Sequence, residues 1–244
     1  MNYFYGFKKY AWIDKIWKSE FKAKDWDLIQ FWEDFYLSLW KEVSFFEQYK
    51  YSIKIEKSDI VEKKILNKQA LELLHRMVYQ RYSTYKNVVK LFLPEEVEKL
   101  IDKKITKKTK FPIPLIKGDE GGSILKQTHL SQEGQTLIVF PDLRTLMNLT
   151  TEEFRNQKWV DTLLSTNTQS QKDKSWRNIK NGNTSIILAT HSEIFQNYKD
   201  LKKIIIIRPH KRYYSNQKDP RYKTLDVVKK LSEIRDCDLE IIDT

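Results

Sequence analysis

The 244-residue chain contains one cysteine, six glycines and six prolines, and it has no long apolar run. The single cysteine, Cys237, excludes an intrachain disulfide and a cysteine-cluster zinc module. The four histidines lack the spacing of metal ligands, so we expect no metal and no cofactor. No apolar stretch approaches the ~20 residues of a membrane-spanning helix, and the N-terminus lacks the layout of a signal peptide. These absences predict a cytoplasmic protein without a membrane partner.

The chain has an excess of positive charge. Lysine and arginine together number 44 against 33 acidic residues, which gives a formal net charge of +11. Such an excess favours a polyanionic partner, either nucleic acid or an anionic membrane face. The alternative is a lysine-rich solvated surface with no such partner. A hydrophobic fraction of 40% is enough to form a packed core.

The first hundred residues divide into two segments that differ in composition and hydrophobic pattern. Residues 1–57 are aromatic-rich, and alternation at 35–39 and 51–55 predicts strands of a small β-rich N-terminal domain. A helical stripe over 26–46 fits the same stretch, so periodicity leaves both readings open. Residues 58–101 predict a short helical, winged-helix-like segment. The features of that segment are a cap at Ser58 or Asp59, a helix over 69–82 with Leu71, Leu74, Val78 and Tyr82 on one face, and a second helix start at Pro94.

A basic linker with two prolines, residues 102–114, leads into a region of α/β texture at 115–244. Short apolar runs alternate with helical or polar segments, which predicts a parallel, doubly wound sheet. The apolar runs are 137–140, 160–164, 185–190, 203–207 and 239–242, and the intervening segments are 143–157, 169–180, 192–200 and 224–235. Ligands of such sheets bind beyond the carboxyl ends of the strands. We therefore expect the loops at 117–123, 141–145, 190–193 and 207–214 to meet at one edge.

Residues 176–227 contain a set of landmarks at defined spacing: Trp176, Gly182, the run ATHSEIF at 189–195, His210, Tyr214 and the Pro220-Arg221-Tyr222 triplet. In these landmarks the segment resembles the PriA-type, or primosomal protein N-prime, family of replication-restart DNA helicases. GQTLIVFPDL at 134–143 looks like the strand and proline that follow the P-loop of this family. Together with a likeness over 69–94, the resemblance spans roughly residues 60–244, and a fainter one precedes it.

The resemblance implies a single RecA-like helicase lobe over 115–244, preceded by a barrel over 1–57 that binds DNA 3′ ends. It implies DNA, single-stranded or forked, as a partner, together with primosome or single-strand-binding proteins. Tyrosines flanked by cations suit stacking on single strands, and the family senses DNA with an aromatic loop here. The implied DNA-binding residues are Lys211, Arg212, Tyr213, Tyr214, Arg221 and His191. The alternatives are a plain surface loop and, for His191, an ordinary loop histidine.

The chain departs from the family at both parts of the nucleotide site. A P-loop needs lysine on the phosphates and a hydroxyl on Mg²⁺, but Ile124 and Leu125 stand at those positions. Only a degenerate nucleotide-binding loop is left, consisting of Gly118, Gly121, Gly122 and Ser123. When the sequence is aligned on His210, the acids of the Asp-Glu-Glu-His motif fall on Ile207, Arg208 and Pro209. Phosphoryl transfer depends on positioned charge around Mg²⁺, so we expect no catalytic residue and no ATP hydrolysis.

Several alternatives stay open at this point. The chain could be a protein–protein docking module of the replication machinery, or the truncated product of a PriA-type helicase gene. A residual nucleoside triphosphatase that uses Lys126 and Asp142 is a third alternative. In a separate hypothesis, Trp26, Trp32 and Trp40 fall on family glycines because UGA codons meant as glycine were translated as tryptophan. UGG codons at those three positions would exclude it.

Overall fold

The computed structural model describes residues 2–7, 15–19, 28–31, 34–39, 52–54, 60–62, 65–80, 83–93 and 134–243. The predicted linker at 102–114, the helix start at Pro94, the degenerate loop of Gly118, Gly121, Gly122 and Ser123, and Lys126 lie outside these residues. Trp26, Trp32 and Trp40 lie outside them as well. In the parts of the chain that the structure describes, no helix has the length and apolarity to cross a membrane.

The N-terminal strands form a sheet with the order β5-β2-β1-β4-β3-β6. The strands are β1 (Asn2–Phe7), β2 (Lys15–Ser19), β3 (Leu28–Phe31), β4 (Asp34–Leu39), β5 (Ser52–Lys54) and β6 (Ile60–Glu62). Strands β4 and β5 coincide with the two segments of predicted alternation. The helix that the stripe over 26–46 favours is not formed at 28–31 or 34–39, where the chain is in strands. That these strands make a separate domain that binds DNA ends stays a prediction.

Two helices follow, α1 (Lys68–Gln80) and α2 (Tyr85–Phe92). The side-chain oxygen of Asn67 accepts a hydrogen bond of 2.9 Å from the backbone N–H of Ala70, so Asn67 caps the start of α1. The predicted cap at Ser58 or Asp59 is wrong, because strand β6 follows directly after those residues. Helix α2 ends where the chain approaches a proline, which disfavours helical backbone at the residue before it.

Helices α1 and α2 pack into the same core as the C-terminal sheet. Leu74 of α1 and Phe92 of α2 are buried in one continuous cluster with Leu137 and Trp176. The indole N–H of Trp176 donates a 2.9 Å hydrogen bond to the carbonyl of Phe92. The two helices are therefore part of the sheet's packing, and their winged-helix-like character stays a prediction.

The C-terminal region is α/β, as predicted, with a parallel sheet of order β13-β10-β7-β9-β8. Its strands are β7 (Gln135–Phe140), β8 (Val160–Leu163), β9 (Ile186–Thr190), β10 (Leu201–Ile207) and β13 (Asp238–Ile242). The helices between them are α3 (Leu143–Leu149), α4 (Glu152–Arg155), α5 (Gln169–Asn181) and α6 (Thr224–Arg235). A hairpin of β11 (Ser215–Asn216) and β12 (Tyr222–Lys223) lies between β10 and α6.

Helices cover both faces of this sheet, which accounts for the run of isoleucines in β10. Ile204 and Ile206 belong to the core under α1, α2, α5 and α6, whereas Ile205 and Ile207 belong to the core under α3 and α4. Side chains alternate between faces along a strand, so only a strand buried on both sides is apolar throughout. Full burial stabilises each such side chain by roughly 1.5–3 kcal/mol relative to exposure.

Two of the segments between strands differ from their predicted structure. The segment 143–157 is two helices, because the hydroxyl of Thr151 accepts from the N–H of Phe154 and starts a new helix. The segment 192–200, predicted as helical or polar, is irregular. It is held by Asn197, which is buried and donates to the carbonyl of Ile65 at 2.9 Å while accepting from the N–H of Asn67 at 3.0 Å.

Candidate nucleic-acid interface

The carboxyl ends of the parallel strands bring together the loops that follow β7, β9 and β10. Nδ1 of His191 lies 3.3 Å from the carbonyl oxygen of Pro141, and the His191 ring meets the Tyr214 ring edge-on at 6.4 Å between centroids. The predicted gathering of the loops at 141–145, 190–193 and 207–214 is therefore confirmed. The fourth predicted loop, 117–123, lies outside the described residues.

A short 3₁₀ turn, Arg212–Tyr214, gives two adjacent tyrosines opposite environments. Tyr213 is 56% exposed, whereas Tyr214 is 2% exposed. The hydroxyl of Tyr214 donates to the carbonyl of Val139 at 2.9 Å and to that of Ile207 at 2.7 Å. Burial raises the pKa of this hydroxyl far above its ordinary value, so it stays a donor.

The predicted stacking role therefore needs one correction. Tyr214 has no exposed ring face on which a base could stack, because its side chain lies beneath the loop and ties β7 to β10. Tyr213 has the exposed ring that stacking requires. His191 is half-buried against Tyr214, which matches the alternative of a loop histidine better than an open contact surface.

The exposed side chains of the stretch 211–223 are mostly cationic. We call this set the basic loop, and its members are Lys211, Arg212, Tyr213, Lys218, Arg221 and Lys223, all of them exposed. Asp219 is the acidic residue in this stretch, and its carboxylate accepts a hydrogen bond from the side-chain amide of Asn87 in α2. The basic loop thus combines a stacking ring with five positive charges.

The hairpin β11–β12 fixes the shape of the basic loop. The side-chain amide of Asn216 donates to the carbonyl of Pro220 at 3.0 Å, and its oxygen accepts from the N–H of Lys218 at 3.2 Å. Tyr222 is buried, and its ring packs edge-on against Phe195 at 5.1 Å. In the Pro220-Arg221-Tyr222 triplet the two outer residues are buried and Arg221 is directed to solvent.

Acidic side chains at this edge are engaged in bonds of their own. Asp142 caps α3, since its carboxylate accepts from the backbone N–H of Thr145 at 2.7 Å and from the Thr145 hydroxyl at 3.1 Å. The carboxylate of Asp243, at the end of β13, lies 2.9 Å from Nε2 of His210. Across the described residues, no group of three or more histidine, cysteine or acidic side chains is arranged to hold a metal ion.

A pocket that no sequence pattern predicts lies between the ends of β10 and β13. This pocket, here called the strand-end pocket, has a volume of about 480 Å³ and is lined by Arg208, His210, Lys211 and Asp243. Arg208 has a positive φ of 52°, and its backbone N–H donates to the carbonyl of Ile242 at 2.6 Å. The signal that was available is the position of Arg208 directly after a buried strand, where ligand-binding residues are commonly found.

Neither a protein-family model nor a curated protein matches the chain at a significant level.

Proposed function

We propose that this chain binds single-stranded or forked DNA as a PriA-like protein of replication restart and does not hydrolyse ATP. The observation that carries the proposal is the basic loop: exposed Tyr213 and five exposed cations at the carboxyl edge of a parallel sheet. Base stacking on an aromatic ring combined with backbone phosphates on cations is the usual means of binding single strands. The sheet, with helices on both faces, is compatible with a RecA-like lobe.

The residues that follow β10 do not carry the charges that ATP hydrolysis needs. In nucleotide-hydrolysing lobes the end of the corresponding strand supplies carboxylates for Mg²⁺ and water. Here β10 ends at Ile207 and is followed by Arg208 and Pro209. Of the acidic groups that follow the two neighbouring strands, Asp142 caps α3 and Asp243 lies 2.9 Å from Nε2 of His210. We expect phosphate release from ATP to stay at background with and without DNA. DNA-stimulated release would instead support the residual triphosphatase.

The direct test is fluorescence anisotropy with a labelled 20-nucleotide single strand and with a fork of the same sequence, at 25–200 mM salt. The variant replaces Lys211, Arg212 and Arg221 with alanine, and the matched control replaces Lys158, Lys174 and Lys202. Both sets are exposed and both lower the net charge by three. For single strands each lost phosphate contact lowers the log–log salt slope by about 0.7, so we expect a change of about 2 in the variant and little in the control.

The proposal is wrong if the wild-type chain binds neither DNA at low salt. Equal weakening by the two triple variants would also count against it, because net charge alone would then explain the binding. A pull-down that recovers replication proteins after nuclease treatment, together with absent DNA binding, would favour the docking module instead.

A further inference from the structure

The sequence of the basic loop contains a single carboxylate, that of Asp219. Asp219 directly follows Lys218 and is separated from Arg221 by one proline, and all three charged side chains are exposed. A carboxylate at this place repels phosphates, and it attracts the two cations beside it. Its partner is instead the side-chain amide of Asn87, in the first turn of α2, which donates a hydrogen bond to it. The negative charge of the loop is therefore held on α2.

A second contact joins α2 to the same loop. At the end of α2 the ring of Phe92 packs edge-on against Phe195, with 5.4 Å between the ring centroids, and Phe195 packs in turn against Tyr222 at 5.1 Å. All three rings are buried. Because Tyr222 directly follows Arg221, α2 holds the chain on both sides of that arginine.

The two contacts differ in kind. The three rings belong to the core of the sheet, so they keep the hairpin in place whatever happens at the surface. The bond from Asn87 lies at the surface and joins an amide to a carboxylate, and hydrogen bonds to a charged group are stronger than those between neutral groups. Without that amide, the nearest donors along the chain for Asp219 are the cations of the loop itself.

We infer that Asn87 is a positioning residue for the basic loop. Its amide holds the carboxylate of Asp219 on α2, and this leaves Lys218 and Arg221 to bind phosphates. That the phosphates belong to a DNA strand rests on the proposed function, whereas the hold on Asp219 does not.

The test uses Asn87→Asp alone and in combination with Asp219→Asn. Asn87→Asp replaces the amide with a carboxylate of the same shape, which repels Asp219. An acidic residue in the first turn of a helix is favourable, so α2 should stay formed. The double variant exchanges the amide and the carboxylate, so the hydrogen bond and the net charge are both kept. The matched control is Lys202→Ala, which lowers the net charge by one as Asn87→Asp does and lies at the opposite end of β10.

The first measurement needs no DNA and is amide hydrogen exchange of the full chain over residues 215–223. We expect exchange there to be about fivefold faster in Asn87→Asp than in the wild type, because the loop loses one of its two contacts with α2. In the double variant and in Lys202→Ala it should stay within about twofold of the wild type. Unchanged exchange in Asn87→Asp would overturn the inference, and so would equal acceleration in the double variant. Circular dichroism checks that each variant is folded.

The second measurement is anisotropy with the labelled 20-nucleotide single strand. A carboxylate released among the cations cancels about one phosphate contact, so Asn87→Asp should weaken binding by about fivefold and lower the log–log salt slope by about 0.7. The double variant and Lys202→Ala should keep the slope of the wild type. Equal binding by the wild type and Asn87→Asp would overturn the inference.

The two measurements separate this inference from the proposed function. If exchange responds as expected but the wild-type chain binds no strand, the proposed function fails and the hold of Asn87 on Asp219 stands. If the wild type binds the strand but exchange in Asn87→Asp is unchanged, the positioning role fails and the proposed function stands.

Discussion

At the amino edge of the parallel sheet the side chains of Gln135 and Arg235 bond to groups inside the fold, whereas at the carboxyl edge Lys211, Arg212 and Arg221 are exposed to solvent. The centre of the amino edge is Gln135, which is 2% exposed. Its amide donates to the carbonyls of Ile179 and Thr184 at 3.0 and 3.2 Å. Its oxygen accepts from the backbone N–H groups that precede β10, at 2.8 and 3.1 Å.

The amino edge also contains a half-buried cation, Arg235, that has internal partners. Arg235 donates to the carbonyl of Tyr198 at 2.7 Å and to the side chain of Asn67 at 3.1 Å. Burial lowers the pKa of its guanidinium. Arg235 joins α6, the segment before β10 and the cap of α1, so its role is structural. Arg235 therefore serves the fold, whereas the exposed cations of the basic loop are available to a ligand.

The largest effect that this comparison predicts is for Gln135→Leu. The leucine fills the same space but removes the Gln135 partner of the Thr184 carbonyl and of two backbone N–H groups, whereas the carbonyl of Ile179 keeps the N–H of Gly182. We therefore expect the free energy of unfolding to fall by about 3 kcal/mol. Urea unfolding measures it. Lys202→Ala, an exposed change near the same edge, should stay within about 0.5 kcal/mol. A loss below about 1 kcal/mol would mean that Gln135 is not the structural centre described here.

The next effect concerns Cys237, which lies beside the amino edge just before β13. Burial raises the pKa of its thiol to about 11 from an ordinary 9.0. At pH 8 the thiolate fraction then falls from about a tenth to about a thousandth, so a thiolate-selective reagent should label the folded chain about a hundredfold more slowly than the urea-unfolded chain. The difference should shrink as the pH rises from 9 to 11. Fast labelling of folded protein at pH 8 would show that this edge opens.

The sequence predicted the sheet because its strands are short apolar runs, and parallel topology alone then predicted which loops meet. It did not predict the strand-end pocket, because Asp243 approaches His210 only when β13 pairs with β10. The predicted cap of α1 was wrong because Ser58, Asp59 and Asn67 are all good capping residues. Only the hydrogen bond from the N–H of Ala70 identifies Asn67 as the cap. The amino-edge role of Gln135 leaves no pattern in the sequence, since its partners are backbone groups.

At the carboxyl edge, Tyr213→Ala removes the exposed ring of the basic loop. Stacking contributes about 1–3 kcal/mol per base, so the affinity for a single strand should fall by about fivefold to more than a hundredfold. The free energy of unfolding should barely change because the ring is 56% exposed. The measurements are anisotropy at fixed salt and urea unfolding, and Tyr79→Ala, which removes another exposed ring, is the control. Unchanged affinity would leave the cations as the only contribution of the basic loop.

The smallest effect is expected for Tyr214→Phe, which distinguishes the role of Tyr214 from that of its neighbour Tyr213. The ring stays packed and only the hydroxyl that bonds to the carbonyls of Val139 and Ile207 is lost, so the free energy of unfolding should fall by about 1 kcal/mol. DNA affinity should fall less than in Tyr213→Ala, because a residue that supports the loop from beneath acts only through its position. If Tyr214→Phe weakened DNA binding as much as Tyr213→Ala and left stability unchanged, the hydroxyl would have to reach the bound strand. The division between a buried supporting ring and an exposed stacking ring would then be wrong.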